Sequence, residues 1–288
     1  MKFSGHESFY CKNYWLKKGY DFVVEGKNFN DENAVVTLGV GKNMVASIKF
    51  WLRAFNLTDN NNNKTILADK IFSNEGYDPY LENINTLWLL HYYLVTSEFT
   101  SIYSIVFNEF RKERFEFKKE NLFQYLKNKC ELENFLFNEN TINTDISVFF
   151  RTYLKPEKSN SNSEEDYTSL LIDLNLLSTK TANKSQKDLI YQFNIDDKNE
   201  IAPEIFLFLL LERYTDDVSI DFNELLQSVN NLGSVFCISK DGLLNKINQI
   251  STKFPFVIFT DDAGIKQIQF KGVKPDKWEV LDFYYKTN

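Results

Sequence analysis

The stretch LGVGKNMVASIKFWLRAFNL, residues 38–57, constrains the fold of this chain more than any other. Two glycines fall within three positions, and from Lys42 to Leu57 there is no further Gly or Pro. Gly39-Val40-Gly41 therefore reads as a tight turn and Lys42 to Phe55 as a helix. Upstream, ENAVVTL (32–38) reads as a short helix that Asn30 or Asp31 is placed to cap. Short helix, glycine turn, longer helix is the order of a helix-turn-helix, here over 31–57. The alternative, a phosphate-cradling Walker loop, needs G-x-x-x-x-G-K-[ST] between a strand and a helix. Here Asn43 follows the Gly-Lys, the glycines are too close together and a helix precedes them, so that reading is set aside.

On a wheel at 100° per residue, Met44, Ile48, Trp51, Leu52 and Phe55 gather on one side of this helix. Lys42, Ala46, Lys49 and Arg53 gather on the other, flanked by Asn43 and Phe50, and no acid lies in the helix. A solvated helix usually mixes charge signs for i,i+4 support. A stripe of Lys and Arg alone suits a helix that neutralises phosphates, its small and amide residues free to approach base edges. The expected DNA contacts are Lys42, Asn43, Ala46, Lys49 and Arg53. Phe50 is expected near the open face, packed against a neighbouring domain. The competing reading is a solvated face that carries three cations by chance.

Charge supports a local basic patch, not a basic protein. The net charge is -7, which argues against a whole-surface coat of nucleic acid. Residues 1–57 carry +3 and residues 237–288 carry +2, leaving -12 for 58–236. That acidic middle favours a basic protein partner. Cys11, Cys130 and Cys237 are odd in number and far apart, which fits a reducing cytosol without structural disulfides. MKFSGHESF has no apolar core of a signal peptide, and runs such as IFLFLLL (205–211) are too short to span a bilayer. A cytoplasmic protein with no membrane contact is expected.

Further elements follow from periodicity and turn chemistry. Tyr10 to Val24 reads as a first helix ended by Gly26, 64–72 as a short extended segment, and Tyr80 to Val95 as a long buried helix. Asp78, Pro79 and Glu82 read as that helix's start. The middle continues helical, with RKERFEFKKE (111–120) read as a solvated helix face, and residues 155–166 are a solvated loop. Segments 170–178 and 189–195 suggest a hairpin. PEIFLFLLLERY (203–214) and two further helices precede FPFVIFTDDAGIKQIQF (254–270), read as strand, turn, strand. The expected fold is mainly α with small β-hairpins: winged-helix-like N-terminal and C-terminal units around a helical middle. The expected domains are 1–95, 96–165 and 166–288. In the last, Lys240 and Lys246 lie on the third helix and Lys266 and Lys271 on the wing, but Asp261 and Asp262 at its tip oppose phosphate contact, which favours protein docking or a structural role.

FSGHESF (3–9), WLKKGYDFV (15–23), residues 30–57, GYDPYLENINTLWLLHYYL (76–94) and DISVFFRTY (145–153) together resemble an uncharacterised bacterial family, domain of unknown function four-thousand-and-seven. Ser8 stands where that family's opening block has Thr. The resemblance implies a setting: genes of the family lie beside phosphoadenosine-phosphosulfate-reductase-like proteins in DNA-phosphorothioation and phage-defence clusters. It carries over no site residues.

Other constellations are weak. His6, Glu7 and Cys11 offer N, O and S ligands, but zinc wants four ligands or three plus water. Gly5, His6 and Glu7 are better read as a cap or as a docking or nucleic-acid contact beside the basic helix. His91 in LWLLHYYL reads as a core histidine bonded to backbone or Tyr. No nucleophile, base and orienter can be grouped, and the paired acids sit in loops, where Asp favours turns. The expectation is a non-enzymatic component without cofactor that binds double-stranded DNA, plain or phosphorothioate-modified. The alternative is an adaptor that docks onto the sulfurating reductase-like enzyme.

Overall fold

A computed structural model gives the fold and describes residues 1–155, 169–181 and 189–287. Most of the loop expected at 155–166, with its Glu164-Glu165-Asp166 run, lies outside those residues. The chain is mainly helical, with two small three-stranded antiparallel sheets. It divides into two compact units, Met1–Asn194 and Ile195–Asn288. The expected segments 1–95 and 96–165 both lie in the first.

In the first unit, α1 (Trp15–Val24), α2 (Ala34–Leu38) and α3 (Lys42–Ala54) come first. The helix expected from Tyr10 starts later, because Lys12 pairs with Ser169 and the Cys11 carbonyl accepts the Leu170 N–H at 3.2 Å. Gly39 ends α2 at φ +62°, a left-handed cap that costs glycine little and other residues more. After α3 the TDNNNNK loop is closed by a single bridge, Thr58 to Lys64, where an N-terminal wing would call for a hairpin. Residues expected to be extended there form α4 (Ile66–Phe72), because the Thr65 hydroxyl caps the Ala68 N–H at 3.2 Å.

The long buried helix is α5 (Ile84–Thr96), buried throughout from Asn85 to Val95, as an all-round apolar helix must be. It starts later than expected. The Asp78 carboxylate accepts the Glu82 and Asn83 N–H groups at 2.9 and 3.0 Å and so closes a turn, while Asn83 caps the helix. Next come α6 (Ser101–Ile105), a π-turn (Val106–Phe110) and α7 (Arg111–Glu113). The mixed-sign run then leaves helix for β1 (Glu116–Phe117), because Phe117 is drawn into the core between Phe110 and Phe193. Two helices follow, α8 (Lys119–Leu132) and α9 (Glu139–Tyr153). The hairpin forms, but its first strand lies later than the expected 170–178: Ile172–Leu174 is a 3-10 turn and the strand is β2 (Leu177–Thr181), paired with β3 (Leu189–Phe193), with β1 on the far edge of β3.

The second unit runs α10 (Pro203–Arg213), β4 (Ser219–Asp221), α11 (Phe222–Gln227), α12 (Leu232–Val235), α13 (Lys240–Lys253), β5 (Val257–Asp262), β6 (Ile265–Phe270) and α14 (Lys277–Thr287). Its sheet order is β4-β6-β5. Pro203 opens α10, and Asp221 and Ser239 cap α11 and α13 through their side chains. Ala263 and Gly264, both at positive φ, make the two-residue turn between β5 and β6.

Candidate nucleic-acid interface

The wheel reading of α3 matches its burial except at Met44, which is half-exposed, and at Phe50. Ile48, Trp51, Leu52 and Phe55 are fully buried, each contributing about 1.5–3 kcal/mol of transfer free energy. Lys42, Asn43 and Ala46 are exposed, and Lys49 and Arg53 half-exposed, on the other side. Among the described residues neither Lys42 nor Lys49 has a hydrogen-bond or ion-pair partner. Arg53 is held: it donates to the Thr58 carbonyl at 3.2 Å and to the Asn60 side chain, and it lies over Phe99. The loop that holds it is itself ordered. Amide donors of Asn63 and Asn61 grip the Asp59 carboxylate, which keeps that carboxyl below the usual range.

Phe50 differs from the expectation. It is buried, packed on His6 (5.6 Å), Trp51 (5.2 Å) and Phe99 (5.2 Å) within its own unit. The wheel put it at the margin, and the N-terminal segment covers it there. A Cβ on Gly5, which has φ +102°, would sit 2.8 Å from the Phe50 ring.

That segment is a strained turn over a buried polar node. Ser4, Glu7 and Ser8 all have positive φ, a backbone state costing about 1–3 kcal/mol each for non-glycine residues. The surrounding contacts over-determine it. His6 Nδ1 accepts the Ser8 N–H at 3.1 Å, so the ring hydrogen sits on Nε2, which donates to Asp145 Oδ1 at 3.0 Å. Asp145, on α9, also accepts the Ser4 N–H. Arg151, further along α9, donates to the Ser8 carbonyl at 2.7 Å. Trp51 completes the seat by donating from Nε1 to the Phe9 carbonyl at 3.1 Å. The expected trio therefore splits. Gly5 and Glu7 are exposed, whereas His6 is buried and positions the turn.

Asp145 is the residue that sequence reasoning missed. Its signal was available: an acid among Ile142, Ile146 and Phe149 on the buried stripe of α9. His91 is a core histidine, 2.9 Å from the Tyr153 hydroxyl. Cys11, Cys130 and Cys237 are free and buried, and burial pushes the Cys11 thiol up. Among the described residues no group of three or more His, Cys, Asp or Glu side chains converges as a metal site. No helix there is long and apolar enough to cross a membrane.

The profile of the family described as protein of unknown function DUF4007 matches residues 3–285, nearly the whole chain. The chain belongs to that family. The opening turn, α3 and the Asp145 segment of α9 all fall inside the match. No curated protein matches the sequence. Two crystal structures of SspB share the fold of this family member. A magnesium ion-bound one is 23% identical at TM-score 0.86, and another is 24% identical at TM-score 0.84. In both, the match covers 99% of this chain and 88% of that chain.

A second surface is apolar. At the turn from α8 to α9, Phe3, Phe135, Leu136, Phe137 and Ile142 line a groove of about 320 Å³. Leu136 is 96% exposed. Of the glutamates nearby in sequence, Glu133 pairs with Lys129 at 3.0 Å and Glu139 with Lys127 at 2.8 Å.

Proposed function

We propose that this chain is a DNA-binding accessory component of a bacterial DNA-modification system linked to phosphorothioation, or of a phage-defence system. Its DNA contact is the outer face of α3. One observation carries this: an acid-free exposed strip of Lys42, Asn43, Ala46, Lys49 and Arg53, with Lys42 and Lys49 unpaired among the described residues, on a helix whose inner face is locked. Unpaired cations on a rigid helix neutralise phosphates at little ordering cost. Exposed Gly5 and Glu7 lie on the strained turn against the flank of that helix, with His6 as a positioning residue; the Glu7 carboxylate opposes phosphate, so the turn serves docking beside the strip and not a phosphate contact. The biological setting comes from the family resemblance, whose gene neighbourhoods hold the sulfur-transfer and defence proteins.

The test is a salt titration of binding to a plain and a phosphorothioate duplex. The wild type is expected to lose affinity steeply with salt. A Lys42→Ala, Lys49→Ala, Arg53→Ala variant should lower the slope of log K against log salt by close to three. An equal slope in the two proteins overturns the assignment. A gap between the duplexes assigns the face to modified DNA.

The C-terminal unit we read as a winged helix used for structure or protein docking, because its order is helix, strand, two short helices, long helix and hairpin. Lys246 is turned inward and Lys266 pairs with Asp261 at 3.1 Å, which leaves few cations on that surface. A second reading is the adaptor for a phosphoadenosine-phosphosulfate-reductase-like enzyme, favoured by the apolar groove at the α8–α9 turn and by the net negative charge of the middle of the chain. Its occupant would be an apolar segment of the enzyme flanked by Lys or Arg. Leu136→Asp should abolish co-elution with that enzyme while leaving the DNA titration unchanged.

A further inference from the structure

We propose that Lys2 and Arg53, seated on the ring of Phe99, form a phosphate seat that extends the α3 strip by one contact. Lys2 Nζ lies 3.2 Å from the Phe99 centroid, and the Arg53 guanidinium carbon lies 5.8 Å from the same centroid. The platform is fixed. Phe99 packs on Phe50, three residues before Arg53 on α3, and Phe50 is backed by Gly5 and His6. The Lys2 backbone is tied down in both directions: its N–H donates to the Ser101 hydroxyl at 2.6 Å and its carbonyl accepts the Ser101 N–H at 3.1 Å.

Two cations lie against one aromatic ring, and among the described residues neither is in an ion pair with a carboxylate. Asp59, the acid within electrostatic range of Arg53, already accepts from Asn61 and Asn63. Burial lowers the Lys2 pKa, and the Arg53 charge lowers it further, so the pair repel one another. An anion bridging them relieves that repulsion. Arg53 has N–H donors left after Thr58 and Asn60, and a lysine ammonium brings three more. A phosphodiester offers two non-bridging oxygens, one for each cation. From Lys42 to Arg53 the helix spans about 16 Å at 1.5 Å per residue. Lys2 lengthens the strip at its Arg53 end, which favours a backbone phosphate of the same strand over an isolated small anion.

This inference rests on the DNA reading, and the experiment separates the two. The full chain is titrated with a 20-bp duplex across salt, as wild type, Lys2→Ala, Lys2→Arg and the Lys42→Ala, Lys49→Ala double variant. Lys2→Ala is expected to lower the salt slope by about one and weaken binding about fivefold at 0.15 M salt, alike for different sequences. Lys2→Arg should keep the slope. If Lys2→Ala keeps the wild-type slope while the double variant lowers it, the seat is overturned and the α3 assignment stands. If the wild type binds no duplex, inorganic pyrophosphate decides the seat. Saturable shifts of the Phe99 ring and Lys2 side-chain NMR signals, lost in Lys2→Ala, uphold it without DNA. Absence of those shifts overturns it.

Discussion

Helices α3 and α13 carry the same signal in sequence and reach opposite ends. Each follows a short helix, each is amphipathic, and each bears lysines that the sequence alone offers as phosphate contacts. In α3 the lysines stand outward and unpaired. In α13 Lys246 is buried and donates to the Asn199 carbonyl at 3.0 Å, and Lys253 is drawn to Glu204. Lys240 is exposed, but Asp241 lies beside it, and the rest of the outer face is mostly neutral: Asn245, Asn248, Gln249 and Thr252. A lysine on a helix is thus a contact or a clasp according to the stripe it falls on. Burial demands a partner for the ammonium, as at Lys246, and a buried carboxylate claims an exposed one, as Glu204 claims Lys253; where neither applies the ammonium stays free.

The largest expected effect tests what holds α3 in place. Asp145→Ala strands the Ser4 N–H and the His6 Nε2–H beneath the strained turn. It should destabilise the first unit by about 3 kcal/mol in urea unfolding. A loss below about 1 kcal/mol would mean the node does not support the seat of α3. The next effect contrasts the two outer faces. Lys49→Gln should lower the salt slope for duplex DNA by about one, whereas Lys240→Gln should leave it unchanged. Equal effects would dissolve the contrast between the helices.

The smallest effect concerns the clasp. Burial lowers the Lys246 pKa, so the unfolded chain holds that proton more tightly than the native unit does. Stability from this group therefore rises with pH between the lowered value and the ordinary lysine value of about 10.4. Lys246→Met should fold within about 1 kcal/mol of wild type at neutral pH. Its alkaline rise should be missing in a comparison of melting temperatures across pH. A Met variant with the full rise would place the titrating group elsewhere.

The sequence by itself determined the helical class, the turn at 39–41, the faces of α3, the β5–β6 hairpin and the core role of His91. These are local: a 3.6-residue period and turn chemistry within a few residues encode them. Single caps moved the boundaries, as Asn83 and Thr65 did for α5 and α4. Two clues were legible but unused, Asp145 among Ile142, Ile146 and Phe149, and Lys246 among Leu243, Ile247 and Ile250, each a charge on an apolar stripe. Which residue satisfies each charge was not legible. His6 meets Asp145 across 139 positions, Lys2 reaches Phe99, and Asn199 receives Lys246. Only tertiary structure decided those pairings, because a buried polar group must find its partner wherever packing brings one.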